Sequence, residues 1–418
     1  MKDLRVPDFI NNLIFIFSIV FNLKQFFYLI VALIKKEKDP GREASLHHYA
    51  VMICARNEAT VIADLIDSIK SQSYPQDFID IFVMADNCSD NTAEIASSCG
   101  AHVYTRFNSE QVGKGYALEA LMNHIREDYP EGFDGYFVFD ADNILEHDYI
   151  EQMNRKLSDG HEIVTGFRNS KNFASNWVSA GSSLWFLWDS KYLNYPRHLL
   201  GISCTVSGTG FLFSRKIAEK LGGWPYHMLT EDWEFSFDQV TKGEKIAFCR
   251  QAVLYDEQPT SFIVSCQQRI RWCSGLLQVN ARYMKKVLKG IFHGNFSCFD
   301  IMFYAPSYVL SVVSLVLNLV MIIHGAITGD GIMIAVQSLG LLFLRVYGMF
   351  WLIGVFFIVT EWKIIRADAL SKIVHLWTFP FFTLSYVPLA AIALFYKPKW
   401  KPIRHTVTAE QLYNAKKK

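Results

Sequence analysis

Apolar segments long enough to cross a lipid bilayer stand near both ends of this 418-residue chain. A helix needs about 20 apolar residues to cross the hydrocarbon core. Segments of that kind cover residues 9–34, 302–323, 332–360 and 373–396. The region between the first and the second mixes charged and apolar residues, as globular domains do. The chain is therefore expected to hold a globular domain between membrane helices, which excludes a soluble fold for the whole.

Basic residues indicate the side of the membrane on which the globular domain lies. Lys35 and Lys36 follow the first apolar segment directly, and Lys38 and Arg42 come shortly after them. Because cytosolic flanks are enriched in Lys and Arg, the domain is predicted to be cytosolic. A cleaved signal peptide is excluded, since the apolar part is too long and no small-residue cleavage site follows. We expect a multi-pass protein of the plasma membrane.

Two prolines interrupt the last apolar segment, residues 373–396. Three full crossings after a cytosolic domain would leave the basic C-terminal tail outside the cell. Pro380 and Pro388 lie inside this segment, and proline kinks or breaks a helix. The sequence therefore predicts that the segment is re-entrant or forms two short spans, so that the tail stays in the cytosol.

Strand-like and helix-like runs alternate in the globular region. The runs HYAVMICA, IDIFVMAD, AHVYTRF and GYFVFDAD are separated by helical stretches such as residues 59–70 and 92–99. This alternation predicts a parallel α/β sheet. Residues 259–292 mix basic and aromatic residues, which is typical of helices lying in the cytosolic membrane interface. An amphipathic helix packed on the globular domain is the alternative.

These patterns divide the chain into five expected units. They are residues 1–45 (membrane helix and basic linker), 46–258 (cytosolic α/β domain), 259–300 (interfacial helices), 301–396 (membrane helices) and 397–418 (cytosolic tail).

Charge and cysteine content exclude several other classes of protein. The net charge is +1, so no nucleic-acid partner is expected. None of the eight cysteines has the Cys-x-x-Cys spacing. They are predicted to be reduced thiols and not ligands of zinc or members of a disulfide framework.

Acidic side chains follow three of the predicted strands. The strand ends carry Ala55 with Asn57 and Glu58, then Asp86, and then Asp140 with Asp142. Ligands of open α/β sheets bind beyond the carboxyl ends of the strands, so we expect these side chains to share one site. Two neighbouring carboxylates can hold a hard divalent cation, which can bridge a diphosphate. Solvated acids at strand ends are the alternative for each motif by itself.

Three later motifs carry groups that suit sugar-phosphate chemistry. Lys114 lies between two glycines at a predicted helix start, where it can approach a phosphate. The spacing of these glycines differs from that of the phosphate-binding loop of nucleoside triphosphatases. Asp232 and Trp233 combine a candidate general base with a ring that can stack on a sugar, helix capping being the alternative. Arg271 and Trp272 offer a diphosphate ligand and a stacking surface, with contacts to anionic lipid as the alternative.

Taken in order, these motifs resemble those of the family 2 glycosyltransferases, specifically the processive membrane synthases of cellulose, hyaluronan and poly-N-acetylglucosamine. The match extends over residues 48–280 and consists of Asp86, Asp140 with Asp142, Thr230 to Asp232, and Gln268 with Arg271 and Trp272. The resemblance implies an α/β GT-A-type (Rossmann-like) catalytic domain with an α-helical transmembrane region. It also implies an inverting displacement, in which an α-linked UDP-sugar gives a β-linked product.

The resemblance implies a role for each matching residue. Asp232 would be the catalytic base, and Asp142 with Asp140 would hold Mg2+ or Mn2+. Residues implied in nucleotide-sugar binding are Ala55, Asn57, Glu58, Asp86, Lys114, Asp140 and Arg271. Residues implied at the acceptor are Ser207, Gly208, Glu231, Trp233, Gln268, Trp272 and Trp185. A gating-type loop over the nucleotide would contain Trp400, Arg404, His405 and Thr406.

Two of these assignments have a competing interpretation. The segment from Ser207 to Gly210 departs from the Cys-Gly-Ser sequence of the acceptor turn in these synthases. Core packing is the alternative for the aromatic stretch that contains Trp185.

The leading hypothesis is processive transfer of a hexose, glucose first, from a UDP-sugar to a growing β-linked polysaccharide, coupled to export across the membrane. A polymer synthase that uses UDP-N-acetylglucosamine is an alternative. Transfer of one sugar to a membrane lipid is the competing enzymatic hypothesis, and an inactive transporter or scaffold is the non-enzymatic one. Expected partners are the UDP-sugar, the polysaccharide acceptor and membrane lipid, without nucleic acid.

Overall fold

The computed structural model describes residues 6–37, 43–329, 332–396, 398, 402–403 and 405–415. Within them, eight strands form one sheet. The strands are β1 Tyr49–Ala55, β2 Ile79–Asp86, β3 His102–Arg106, β4 Gly135–Asp140, β5 Ile144–Leu145, β6 Ile163–Ser170, β7 Phe211–Ser214 and β8 Ile246–Asp256. The four runs that the sequence predicts as strands therefore form β1 to β4.

The sheet has the order β3-β2-β1-β4-β7-β6-β8-β5 and is mixed. Strands β1 to β4 pair in parallel as predicted, but β7 runs antiparallel to both β4 and β6. Because of this reversal, the turn from Ser207 to Gly210, which precedes β7, lies at the carboxyl end of β4. Strands β6 and β8 again run in the direction of β4. The sequence prediction of a parallel sheet is thus correct for the first half only.

Helices surround the sheet and continue into a second, apolar region. They are α1 Val6–Ile34, α2 Ile62–Lys70, α3 Thr92–Ser98, α4 Lys114–Asp128, α5 Tyr149–Ser158, α6 Trp177–Trp188, α7 Tyr195–Leu200, α8 Arg215–Leu221, α9 Glu231–Thr241, α10 Phe262–Phe292, α11 Phe296–Met302, α12 Tyr304–Thr328, α13 Ile332–Thr360, α14 Ala369–Leu384, α15 Tyr386–Phe395 and α16 Ala409–Ala415. A π-helical segment, Asp189–Asn194, joins α6 to α7.

Apolar side chains bury both faces of the sheet. In β1, Val51 and Ile53 join the cluster that contains α2 and α5, whereas Ala50 and Met52 join the cluster of α4 and α9. Strands covered on both sides are expected to be apolar throughout. The two helical layers therefore leave the carboxyl edge of the sheet as the place where polar groups can meet.

Three segments are long and apolar enough to cross a membrane among the described residues: Val6–Ile34, Ile332–Thr360 and Ala369–Phe395. A shorter apolar stretch, Val312–Thr328, lies within α12. These candidate spans coincide with the apolar segments of the sequence and indicate membrane association.

The last apolar segment is interrupted near Pro388, as predicted, whereas Pro380 lies inside α14 and does not break it. Helix α14 ends at Leu384, and α15 begins at Tyr386. Pro388 has no N–H to donate to the carbonyl four residues earlier, which is that of Leu384. The buried Arg269 of α10 lies at this point and donates to Phe382 O at 3.2 Å and to Ser385 Oγ at 2.6 Å.

Residues 262–292 form one helix, α10, where the sequence suggested several. Its second half packs against α9 through Val279, Tyr283 and Val287. Arg282 and Lys286 form ion pairs with α9 across the same contact. This half of α10 thus packs on the globular domain, and a location in the membrane interface stays a prediction.

A buried charge cluster joins α1 to the globular domain. The carboxylate of Asp300 accepts hydrogen bonds from Lys24 Nζ at 3.1 Å, Tyr28 OH at 2.6 Å and Arg197 Nε at 2.7 Å. Asp300 is 3% exposed and Arg197 is 1% exposed. A buried charge without its partner is strongly destabilising. The cluster therefore holds α1, α7 and α11 together.

We therefore expect Asp300→Asn to lower the free energy of unfolding by about 3–5 kcal/mol, because it leaves Arg197 buried without a counter-charge. Thermal unfolding of the full chain in detergent measures the effect. Asp77→Asn, at an exposed position, is the matched control and should not change the melting temperature. Equal melting temperatures for the two variants would contradict the role of the cluster.

Candidate active site

The carboxyl ends of the strands open into a cavity of about 790 Å³. Most of the residues that the resemblance implicates line it: Ala55, Glu58, Asp86, Lys114, Asp140, Asp142, Trp185, Ser207, Gly208, Glu231, Asp232, Trp233, Gln268, Arg271, Trp272 and His405. Asn57 and Thr406 are not among the lining residues. Trp400 and Arg404 lie outside the described residues.

The first two strand ends form one wall of the cavity. The buried carboxylate of Asp86 accepts a hydrogen bond from Arg106 Nη1 at 2.6 Å. Asn57 has a positive φ of 58°, and its side chain accepts from Ser89 N at 2.7 Å. Asn57 therefore shapes the turn after β1 and connects it to the turn after β2.

Lys114, the first residue of α4, reaches across the cavity. It donates to Asp140 Oδ1 and to Gly208 O, the latter at 2.7 Å. Burial lowers the pKa of Lys114, but the charges of Asp140 and Glu231 outweigh burial and raise it. Lys114 thus stays a cation between the two carboxylates.

Gly208 lies close to two acidic groups at the centre of the site. Its φ is +82°, and a Cβ atom there would lie 3.9 Å from both Asp140 Oδ2 and Asp232 Oδ2. The turn before β7 therefore lies beside both the Asp140 motif and the Asp232 motif, which are far apart in the sequence.

The deepest acids lie at the ends of β4 and β8. Asp142 accepts from Glu257 N at 2.9 Å; burial raises its pKa, but the charges of His405 and Lys171 lower it overall. Asp256 accepts from Arg168 Nε at 2.6 Å, while its Oδ1 is buried without a hydrogen-bond partner. Burial, assisted by Asp142, raises the pKa of Asp256 to about 6 against the effect of Arg168.

This set of donors suits a hard divalent cation that shares its ligands with a substrate. Within the described ranges, no group of three or more His, Cys, Asp or Glu side chains is arranged to hold a metal ion by itself. Mg2+ commonly binds through one or two carboxylates together with substrate phosphates. Asp140 and Asp142, with the unpartnered oxygen of Asp256 nearby, fit that mode.

Glu231 and Asp232 begin α9 and line the cavity, with Glu231 buried and Asp232 half-buried. Burial and the charge of Asp232 raise the pKa of Glu231. Burial likewise raises the pKa of Asp232, against the effects of Lys114 and Arg271. A carboxylate with a raised pKa is a stronger base, which suits proton transfer near neutral pH.

Gln268, Arg271 and Trp272 lie on one face of α10, at helical spacings of three and four residues, and all line the cavity. Arg271 Nη1 donates to Leu229 O, in the loop before α9, at 3.1 Å. Gly275, one turn further, lets α10 approach α9 closely, because a Cβ there would lie 2.5 Å from Thr230 Oγ1. This contact brings the two motifs together.

Aromatic rings form a neck at the side of the cavity nearest the membrane helices. Trp185 stacks on Tyr386 of α15 with ring centres 5.0 Å apart. Trp233 packs edge-on against Tyr304 of α12 at 4.5 Å. Since Trp233 follows Asp232 directly, the neck begins beside the candidate base.

The described part of the C-terminal tail covers the opposite side of the cavity. His405 Nδ1 lies 3.0 Å from Glu58 Oε1. The Thr406 and Val407 amides donate to Glu257 Oε2 at 2.8 and 2.7 Å. The tail therefore lies on the same side of the membrane helices as the sheet.

Sequence reasoning missed several polar residues of the cavity wall, among them Arg168, Asp189, Asp256 and Glu257. Asp256 is the last residue of β8. A prediction of β8 would have identified it, because ligands bind beyond the carboxyl ends of the strands. Asp189 follows no strand, because it begins the π-helical segment, where Ser207 Oγ donates to it at 2.6 Å.

Comparison with known proteins identifies the family. The family described as glycosyltransferase like family 2 matches residues 47–275.

The chain is 27% identical over 263 residues to a probable glycosyltransferase of Bacillus subtilis, covering 57% of this chain and 58% of the relative. It is 26% identical to a poly-β-1,6-N-acetyl-D-glucosamine synthase of Staphylococcus epidermidis, covering 57% of each chain. It is 24% identical to a β-monoglucosyldiacylglycerol synthase of Trichormus variabilis, covering 64% of this chain and 57% of the relative. The chain thus spans less than two thirds of the length of these relatives.

A solved structure extends the similarity to the membrane helices. The mannosyltransferase PcManGT from Pyrobaculum calidifontis, solved with GDP-Man and Mn2+, superposes with a TM-score of 0.55 and 17% identity, covering 93% of this chain and 99% of the other. That likeness supports the expected fold, a GT-A-type domain with a helical region. The chain therefore belongs to glycosyltransferase family 2 and is a sugar-transferring enzyme with a GT-A-type fold.

Proposed function

We propose that the enzyme transfers a hexose, with inversion, from a UDP-sugar to a hydroxyl group that reaches the site from the membrane. UDP-glucose is the first candidate donor and UDP-N-acetylglucosamine the alternative. One observation carries this proposal. The half-buried Asp232 lies where the acidic half of the cavity meets the aromatic neck.

The proposed reaction is a single displacement. The acceptor oxygen attacks C1 of the sugar, and its proton passes to Asp232. The bond between C1 and the diphosphate oxygen breaks, and its electron pair stays on the diphosphate. Among the cations of the cavity wall, Arg271 and Lys114 would offset the charge of this leaving group.

Asp142 and Asp140 would hold Mg2+ or Mn2+, in line with the Mn2+ found in the mannosyltransferase structure. When bound, such an ion neutralises diphosphate charge. Asp140 now pairs with Lys114, so donor binding would redistribute this contact.

The nucleotide is proposed to lie between the sheet edge and the tail. Ala55, Glu58 and Asp86 line this side of the cavity, and His405 closes over Glu58. Trp400 and Arg404 would complete the gating-type loop. The acceptor side would contain Ser207, Gly208, Glu231, Gln268 and Trp272, with Trp185 and Trp233 in the neck.

The membrane arrangement is proposed to be multi-pass with a cytosolic catalytic domain. Both ends of the α14–α15 segment contact the catalytic side: Arg366 pairs with Glu146, and Ser274 Oγ donates to Tyr396 O at 3.5 Å. These contacts support a re-entrant segment that enters and leaves on the same side.

Two acceptors compete. Processive extension of a polysaccharide follows from the motif resemblance, from the aromatic neck, and from the synthase of Staphylococcus epidermidis among the relatives. Transfer to a membrane lipid is supported by the relative of Trichormus variabilis, whose name describes the synthesis of a glycolipid.

We expect Asp232→Asn to lower the transfer rate by about a thousandfold, because it removes the base and leaves the nucleotide contacts in place. Sugar transfer from labelled UDP-sugars into membranes measures the rate, and calorimetry measures UDP binding. Asp77→Asn is the matched control. Retained transfer in Asp232→Asn would show that the base lies elsewhere.

We expect Mn2+ to strengthen UDP binding by about tenfold or more in the native enzyme, a difference of about 1.4 kcal/mol. Asp142→Asn should lose most of this gain, because it removes one negative oxygen ligand. Calorimetric titration of UDP with and without Mn2+ tests this independently of turnover. If Mn2+ strengthens UDP binding equally in the variant, Asp142 is not a ligand of the proposed metal site.

A further inference from the structure

Beyond the aromatic neck, the cavity continues between the membrane helices and becomes apolar. Its walls there include Phe15 of α1, Leu315 of α12, and Leu342, Val346 and Phe350 of α13. Lys24 and Gln25 of α1 line the cavity nearer the sheet. Farther along these three helices, the described polar side chains on its wall are Ser18, Ser314 and Asn318.

Two of these polar groups already have partners inside the helices. Ser18 Oγ donates to Ile14 O at 2.8 Å. The Asn318 amide donates to Asn11 Oδ1 and to Ser314 O, both at 2.9 Å. A polysaccharide in this space would bury many hydroxyl groups without partners, and each such group is costly. A hydrocarbon chain has no such requirement.

A polar layer closes the far end of the cavity. Asn11 of α1 donates to Asn318 of α12 and to Ser338 of α13, both at 3.0 Å. Toward the ends of α1, α12 and α13 away from the sheet, the described lining residues extend no further than Ile14, Asn318 and Leu339. Among the described residues, the cavity therefore ends at this layer, and we call its apolar part the blind pocket.

The pocket has the depth of a lipid chain. Fourteen residues separate Tyr304 at the neck from Asn318, which corresponds to about 21 Å of helix. One leaflet contributes about 15 Å of hydrocarbon, half of the about 30 Å core of a bilayer. A pocket of this depth is long enough for the hydrocarbon chain of a lipid from one leaflet.

Cations near the neck are already engaged. Lys24 and Arg197 line the cavity, and both bind the carboxylate of Asp300. On the catalytic side, Glu231 and Asp232 would repel an anionic head group. A hydroxyl group, in contrast, needs a base such as Asp232 to remove its proton. These charges favour an uncharged lipid over a lipid phosphate.

We propose that the acceptor is an uncharged, hydroxyl-bearing membrane lipid whose hydrocarbon chain fills the blind pocket. This inference rests on the proposed function. The lipid hydroxyl oxygen forms the new bond to C1 of the sugar, its proton goes to Asp232, and the bond from C1 to the diphosphate breaks with the electron pair leaving on UDP. The product is a β-linked glycolipid.

The test supplies the full chain in detergent with labelled UDP-glucose and either dioleoylglycerol or its dihexanoyl analogue. Leu342→Trp fills the pocket, whereas Leu341→Trp places the same ring at a neighbouring position that is 50% exposed. We expect Leu342→Trp to lower transfer to dioleoylglycerol by about tenfold or more. Leu341→Trp should leave transfer unchanged, and native enzyme should prefer the long-chain lipid.

Calorimetric UDP binding separates a filled pocket from a misfolded variant, because only a folded Leu342→Trp retains native affinity. Equal transfer to lipid by the two Trp variants, or a water-soluble polymer as product, would overturn the lipid acceptor and leave the UDP-sugar reaction intact. A glycolipid made only from a GDP-sugar would support the lipid acceptor and overturn the proposed donor. Consumption of no nucleotide-sugar would overturn both.

Discussion

The buried carboxylate of Asp300 is the contact on which the shape of the cavity depends. It receives hydrogen bonds from Lys24 and Tyr28 of the first membrane helix and from Arg197 of the globular domain. Charges removed from water persist only where partners compensate them. The position of α1 against the catalytic domain is therefore defined by a charge balance in addition to apolar packing. Because the cavity crosses this junction, its acidic and apolar halves stay aligned only while the cluster is intact.

A second balance operates at the edge of the sheet. Parallel strands direct their carboxyl ends to one edge, which concentrates acids that repel one another in a buried space. Lys114 and Arg168 offset this repulsion from within the fold, and His405 adds a contribution from the tail. Under the proposed function, such a site would hold a cationic metal, and an anionic diphosphate would redistribute these ion pairs. The same electrostatics that constrain the fold therefore prepare the donor site.

The half of the cavity between the apolar helices is lined by apolar side chains, in contrast to the charged half at the sheet. Its few polar groups bond to one another or to backbone carbonyls, as in the layer of Asn11, Asn318 and Ser338. In a medium without water, polar groups need hydrogen-bond partners within the protein. Because these groups bond to one another, the walls that face the cavity are apolar. The neck between the halves contains rings such as Trp233 and Tyr304, which tolerate both environments. The candidate base lies at that boundary, where a polar donor and an apolar chain can meet.

Local signals predicted much of the fold and part of the site. Strands β1 to β4, the acids that follow them, the membrane segments and the break near Pro388 depend on neighbouring residues, so periodicity and proline chemistry reveal them. Asp256 and Asp189 were missed because their places depend on how β8 and the π-helical segment pack, which involves residues far apart in the chain. The sequence by itself determined the first four strands, the apolar segments, the order of the motifs and the family. Only the tertiary structure decided the reversed β7, the partners of each buried charge and the blind end of the cavity, because these are set by contacts between distant segments whose burial and pairing no local pattern encodes.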